Sequence, residues 1–192
     1  MKNFKVTPLP IDFDFESKTI LIALNTTSRA LAELKGGIKK IPNSQILLDT
    51  LSLQEAKDSS EIENIITTDD EMYQALVDDE VMDSDAKEVK NYALALKTGY
   101  NLIQEKKIIT INDLIKIQEI VSPNHPIRKL PGTTLKNAKT NEIIYTPPQN
   151  YDEIIQLLSN LERYMNDETI QSIDSLIKMP IIHYQFETIH PF

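Results

Sequence analysis

The sequence predicts a mainly α-helical protein with one small β-hairpin. Apolar residues recur at three- and four-residue spacing over most of the 192 residues, which is the helical period. The four glycines are too few for a glycine-rich fold, and five of the ten prolines fall between residues 123 and 148. Hydrophobic residues make up 41% of the chain and charged residues 26%, a balance typical of a globular protein with a real core.

Two helices are predicted in the first third of the chain. The first should run from about residue 16 to 35 with Ile20, Leu24, Leu31 and Leu34 facing inward, and Gly36-Gly37 should supply its left-handed end. Ser52 and Glu55 have the spacing of a capping box, so a second helix should begin there and continue to about residue 66.

The middle of the chain predicts further helices. Residues 67–70, with the sequence TTDD, either break the second helix or cap a short acidic helix that contains Met72, Leu76 and Val77. A long amphipathic helix should span about 86–105, because its apolar residues fall on one face. Thr110 and Asp113 match a capping box that opens a helix to about residue 121.

The last third predicts the hairpin and two more helices. Residues 133–137 and 142–146 should pair across Lys139-Thr140-Asn141. Asn150 should cap a helix that carries an inward apolar face of Ile154, Leu157, Leu158, Leu161 and Tyr164. A final helix from about 173 to 188 is either kinked at Pro180 or begins there, because proline removes a helical hydrogen bond.

Charge is unevenly distributed along the chain. The net charge is −9, and residues 51–88 alone hold 13 acidic and two basic side chains. This balance argues against a nucleic-acid-binding protein, because duplex binding depends on basic residues that neutralise phosphates. Four basic residues of the middle segment either face an anionic ligand or lie in a solvated loop: Arg128, Lys129, Lys136 and Lys139.

Composition also limits the chemistry. The absence of cysteine excludes disulfides, thiolate nucleophiles, iron–sulfur clusters and zinc fingers. The three histidines, at 125, 183 and 190, are not at metal-binding helical spacing, so no metal site is predicted in this chain. No apolar run approaches the roughly 18 residues of a membrane span, so we expect a cytoplasmic protein without a membrane partner.

The end of the chain carries the strongest functional signal. His190 follows a helix that Pro191 ends, so its imidazole lies at a loop entrance and could take a proton near neutral pH. An exposed or helix-capping histidine explains the same pattern. Residues 186–192, FETIHPF, and the helix before them resemble the opening of the Fic family motif HPFx(D/E)GNGRxxR.

Two further tracts resemble the same family. Residues 53–64 resemble the inhibitory helix of Fic proteins that carry it N-terminally, and the pattern (S/T)xxxE(G/N) falls on Ser59, Glu63 and Asn64. The end of the predicted hairpin resembles the family's target-docking flap, with Ile144, Tyr145, Thr146 and Pro147. The resemblance covers about residues 8–192, with its motifs in the expected order.

The resemblance implies a fold and a reaction. We expect a Fic-type helical bundle, with an N-terminal Fic-associated region over residues 1–84 that includes an inhibitory helix at about 52–66, and part of the Fic core over 85–192. The implied reaction transfers AMP from ATP, with magnesium, to a Ser, Thr or Tyr hydroxyl of a target protein. His190 would be the general base, Phe186, Pro191 and Phe192 the motif scaffold, and Glu63 the partner of a nucleotide-binding arginine.

The sequence departs from the family pattern at Phe192. The motif's acidic residue, its GNGR segment and the helix that follows them in the family are missing from this sequence, which is either a fragment or a degraded relative. We therefore expect a truncated chain that binds ATP and magnesium weakly and that forms a homo-oligomer or pairs with a complete Fic paralogue. The alternative function is a non-catalytic interaction or regulatory module, a truncated Fic relative that keeps the inhibitory helix and the target flap and binds a partner or a complete paralogue. By residue pattern alone, a solvated helix charge also explains Glu63 and an ordinary surface hairpin also explains residues 133–146.

Overall fold

A computed structural model describes residues 5–38, 40, 44–62, 65–71, 84–137 and 139–192. The element order confirms the mainly helical prediction: α1 (Lys18–Ile38), α2 (Ser44–Ile62), α3 (Ser84–Lys106), α4 (Ile111–Val121), β1 (Leu135–Lys136), β2 (Ile143–Tyr145), α5 (Tyr151–Asn166) and α6 (Ser175–Ile189). No helix in these ranges is long and apolar enough to cross a membrane.

The chain divides into two compact units. The first contains residues 1–29, 108–111 and 126–192, and the second contains residues 30–107 and 112–125. Each has its own apolar cluster. The boundary at residues 84 and 85 that the family resemblance implies stays a prediction.

Helix α5 forms the centre of the first unit. The side chain of Asn150 accepts hydrogen bonds from the amides of Asp152 (2.8 Å) and Glu153 (3.2 Å), which confirms the predicted cap. All five residues predicted to face inward are buried: Ile154, Leu157, Leu158, Leu161 and Tyr164. Their helical spacing therefore locates the apolar face on which the rest of this unit packs.

Helix α6 packs on α5 and ends at the proposed catalytic histidine. Asp174 caps its start by accepting a hydrogen bond from the Leu176 amide at 2.9 Å. Pro180 lies inside the helix, so the alternative in which the helix begins at Pro180 is wrong. Ile181 and Ile189 are buried in the shared core, which fixes the position of the last turn.

The N-terminal segment is held against both helices. The side-chain amide of Asn160 accepts from the Leu9 amide (2.7 Å) and donates to the Leu9 carbonyl (2.9 Å). Gln185, which is buried, donates to the Thr7 carbonyl at 3.0 Å. These bonds satisfy backbone groups of a segment that has no secondary structure of its own.

The second unit contains the packed pair α2 and α3. Ala56 and Val89 are fully buried between them, with Leu53, Tyr92 and Ala93 partly buried around them. Helix α2 begins at Ser44, so the predicted start at Ser52 is wrong. Residues three apart share a face anywhere in a helix, so serine–glutamate spacing alone does not locate a helix start.

Residues 65–71 show whether the TTDD segment only ends the second helix or also caps a new one. Helix α2 ends at Ile62, and Thr68 and Glu71 then form a capping box. The Glu71 carboxylate accepts from the Thr68 amide at 2.8 Å, and the Thr68 hydroxyl accepts from the Glu71 amide at 3.3 Å. The acidic segment therefore opens a new helix, whose predicted residues Met72, Leu76 and Val77 lie outside the described residues.

Helix α1 departs from its predicted end, and its predicted inward face is only partly buried, at Ile20, Leu24 and Leu31. Gly36 and Gly37 lie within the helix, and neither has a positive φ. No residue of α1 is buried, and Leu34, predicted to face inward, is 55% exposed. A glycine pair can stop a helix but does not require it to stop, and here the helical hydrogen bonds continue to Ile38.

The predicted hairpin is present in the first unit. Strands β1 and β2 are antiparallel, with Leu135 opposite Tyr145 and Lys136 opposite Ile143 and an irregularity between these pairs. Asn141 takes a left-handed conformation, with φ of 56°, which asparagine tolerates in turns. Among the described residues the two strands pair only with each other, so each retains one free edge.

We expect Asn150→Ala to lower the free energy of unfolding of the first unit by about 1 kcal/mol, because two helix amides lose their acceptor. Gln156→Ala, on an exposed position of the same helix, is the matched control. Chemical denaturation followed by circular dichroism measures both. Equal losses in the two variants would contradict the capping role.

Candidate active site at the end of helix α6

His190 terminates α6 in a left-handed conformation. Its φ and ψ are 46° and 65°, and its amide donates to the Phe186 carbonyl at 2.9 Å, as in an αL helix end. Such a conformation costs a non-glycine residue about 1–3 kcal/mol and persists where the surroundings determine it. The residue is exposed, and in the described part of the chain its imidazole has no hydrogen-bond partner.

The residues predicted to form the motif scaffold pack beneath His190. Pro191 is buried. The rings of Phe186 and Phe192 lie 6.3 Å apart and tilted by 50°, and both pack against the core of the first unit. The chain on either side of the histidine is therefore held by apolar contacts while the histidine itself stays accessible.

Arg128 binds the carbonyl groups at this helix end. Its Nε donates to the His190 carbonyl at 2.6 Å, and its Nη2 donates to the Ile189 carbonyl at 3.2 Å. Nη2 also lies 3.2 Å from the Pro148 carbonyl, and the Arg128 amide donates to the Pro191 carbonyl at 2.8 Å. Burial lowers the pKa of Arg128, and the nearby Tyr145 raises it.

This role differs from both sequence interpretations of Arg128, which were an anionic ligand contact and a solvated loop charge. The guanidinium faces main-chain oxygens 20 to 62 residues away in the sequence. A cation at a helix C-terminus also interacts favourably with the helix dipole. No local sequence pattern predicts a hydrogen bond between residues this far apart.

Tyr145 links the hairpin to the same helix end. Its hydroxyl donates to the Thr188 carbonyl at 2.6 Å. Its side chain is half-buried, and burial, together with the nearby Tyr184, raises its pKa while Arg128 lowers it. Tyr145, predicted as a docking residue, therefore anchors the hairpin through its hydroxyl.

The other predicted flap residues differ in accessibility. Ile144 is 62% exposed and Thr146 is also exposed, whereas Pro147 is buried. Successive side chains of a strand point to opposite faces, so β2 anchors through Tyr145 and presents Ile144 to solvent. Ile144 and Thr146 are therefore accessible on the hairpin, whereas Pro147 is not.

Gln149 joins the two ends of the hairpin, and the sequence analysis missed it. Its Oε1 accepts from the Gly132 amide at 2.6 Å, and its Nε2 donates to the carbonyls of Thr133 (3.0 Å) and Pro147 (2.7 Å). Gly132 has a φ of 124°, a conformation that side-chain-bearing residues rarely adopt. These contacts close the base of the hairpin.

Ser59 is the described member of the predicted inhibitory set. It is half-buried in α2, and its hydroxyl donates to the Glu55 carboxylate at 3.0 Å. Glu63 and Asn64 lie outside the described residues. In the ranges that the structure describes, no three His, Asp or Glu side chains come together in a way that could hold a metal ion.

Comparison with known families places this helical architecture and its histidine-terminated helix in one family. The model of the Fic/DOC family N-terminal region matches residues 21–101, and the model of the Fic/DOC family matches residues 103–192. Only residues 1–20 and residue 102 lie outside the two matches. The chain belongs to the Fic/DOC family.

Tyr145→Phe tests the anchor through its pH dependence. The raised pKa means that the folded state holds the phenol proton more tightly than the unfolded state. The hydroxyl's stabilisation, about 1 kcal/mol for one hydrogen bond, should be fully present below pH 10 and lost as the pH rises through the raised pKa.

The measurement is urea unfolding of the parent and of Tyr145→Phe between pH 8 and 11. We expect the difference in the free energy of unfolding between the parent and Tyr145→Phe to shrink above pH 10. Tyr151→Phe, which removes a hydroxyl from the surface, is the control. A difference that is zero at pH 8, or that grows with pH, would contradict the anchor.

Proposed function

We propose that this protein is a Fic-type protein adenylyltransferase, which transfers AMP from ATP to a Ser, Thr or Tyr hydroxyl of a target protein. Membership of the Fic/DOC family supports this proposal, because the family generally acts on protein targets. The observation that carries it is the exposed His190 imidazole, presented at the end of α6 beside an anchored hairpin with free edges.

The chemistry assigned to His190 is general-base catalysis. A hydroxyl is a weak nucleophile until a base takes its proton, and the unpartnered imidazole is available for that role. The target oxygen then bonds to the α-phosphorus of ATP, the bond from that phosphorus to the bridging oxygen breaks, and pyrophosphate leaves. The proton ends on the imidazole.

The hairpin would hold the target segment by strand addition. A free strand edge offers main-chain donors and acceptors to an extended segment, so this docking depends little on sequence. Exposed Leu135 and Ile144 add apolar contacts, at 57% and 62% exposure. Lys136 and Lys139 are exposed and have no acidic partner among the described residues, so they favour a target with acidic residues.

Autoinhibition is part of the proposal. In it, the tract 53–64, which includes the C-terminal part of α2, is the inhibitory segment, and the Glu63 carboxylate pairs with an arginine that the nucleotide needs. The family resemblance of Ser59, Glu63 and Asn64 supports this role. We place the activity in the cytoplasm, where ATP is available, and not on nucleic acid or in a membrane.

The first test replaces the base in the full gene product. We expect His190→Asn to lower AMP transfer about 10²–10⁴-fold, the usual effect of losing a general base. Asparagine tolerates the left-handed conformation of His190, so the helix end should be kept. His183→Asn, on an exposed position of the same helix, should leave the rate unchanged.

Labelled ATP and gel autoradiography measure transfer to the protein itself and to candidate targets. If His190→Asn labels as strongly as its parent, the base assignment is wrong. A parent that captures a target without ever labelling it would favour the alternative, a non-catalytic interaction module.

The second test concerns inhibition. Glu63→Gly should raise AMP transfer by the full gene product, because releasing the inhibitory pair increases the fraction of ATP that is held productively. Glu61→Gly introduces the same residue two positions earlier, so it controls for loosening of the helix. The same labelling assay measures both variants. Equal activation in both would contradict the specific role of Glu63.

A further inference from the structure

The end of α6 leaves carbonyl groups that need donors from elsewhere. The last carbonyls of a helix have no intrahelical partner. Four consecutive carbonyls, from Thr188 to Pro191, each accept a hydrogen bond from a residue before or within the hairpin. Arg128 supplies three of these donors, and the Tyr145 hydroxyl supplies the fourth.

The arrangement of the Arg128 donors suits a planar fork. Nε and Nη2 reach neighbouring carbonyls, at His190 and Ile189, in the side-by-side geometry of a guanidinium. Nη2 also contacts the Pro148 carbonyl, at the C-terminal end of the hairpin. A lysine ammonium is a single point charge and cannot hold these groups in one plane.

The third guanidinium nitrogen of Arg128, Nη1, takes no part in these contacts. Nη1 is buried and has no hydrogen-bond partner among the described residues. A buried donor without a partner destabilises the folded state. The guanidinium is therefore placed for its contacts with the carbonyls at the end of α6, although this placement leaves Nη1 unpaired.

We propose that Arg128 is the positioning residue of His190, because it holds the left-handed main chain from which the imidazole is presented and joins that main chain to the hairpin. The proposal rests on the proposed function, in which His190 is the base and the hairpin docks the target. Arg128 contacts neither the target nor the nucleotide in this role. Substitution of Arg128 should therefore slow the chemical step and leave the affinity for the nucleotide unchanged.

The kinetic test compares Arg128→Lys and Arg128→Gln with Lys129→Gln in the full gene product. Lys129 is the exposed neighbour, and its ammonium lies over the Tyr151 ring 5.8 Å from the centroid. Its substitution therefore removes an adjacent charge and that ring contact, but none of the Arg128 contacts with the end of α6. We expect kcat to fall about 10–100-fold in both Arg128 variants, the effect of a small displacement of a catalytic group. The KM for ATP should change less than twofold, and Lys129→Gln should match the parent.

The second readout needs no activity. The Arg128 amide donates to the Pro191 carbonyl, so its hydrogen exchange reports whether the chain around His190 stays in place. We expect exchange at residue 128 to quicken at least tenfold in both Arg128 variants, and the imidazole resonances of His190 to shift while those of His183 do not. Lys129→Gln should change neither.

The outcomes separate the two proposals. Unchanged kcat, a raised KM for ATP at unchanged kcat, or unchanged exchange at residue 128 would each overturn the positioning role. An Arg128→Lys chain that fails to fold would overturn it too, by assigning Arg128 to stability alone. A parent that transfers no AMP would contradict the proposed function, and the exchange and imidazole signals would still decide the role of Arg128.

Discussion

The first unit depends on how the end of α6 satisfies its carbonyl groups. A helix that stops at a left-handed histidine exposes main-chain oxygens in a partly buried place, where leaving them unpaired is costly. Arg128 and Tyr145 supply the donors, so the segment before the hairpin and the second strand are both fixed by the same helix end. The α5–α6 core holds that helix end in position through buried Ile181 and Ile189.

Because Tyr145 must reach the end of α6, strand β2 has one side chain that anchors the hairpin and a neighbouring one that is exposed. In β2, the side chain of Tyr145 turns to the helix and that of Ile144 turns to solvent, because side chains alternate along a strand. A hairpin of this size is marginal by itself in water. Its contacts with α6, and the closure of its base by Gln149, are what hold the hairpin in place beside the histidine.

The sequence was most informative where a signal is local. Asn150, the apolar face of α5 and the hairpin were predicted correctly, because caps, helical periodicity and turn residues act over a few positions. The predicted end of α1 at Gly36-Gly37 and the start of α2 at Ser52 were wrong, because glycine and serine permit such boundaries without requiring them. Arg128 and Gln149 act across 16 to 62 residues, and only the folded chain brings their partners together.

The division into two units bears on how an inhibitory role can be recognised. Ser59 belongs to the second unit and His190 to the first, and each unit has its own apolar cluster. A substitution near the end of α2 therefore removes no side chain from the core that holds α6. Substitutions in separate cores have largely additive effects on stability. Under the proposed function, a change in AMP transfer after substitution near Ser59, with the unfolding of the first unit unchanged, consequently indicates regulation and not damage to the end of α6.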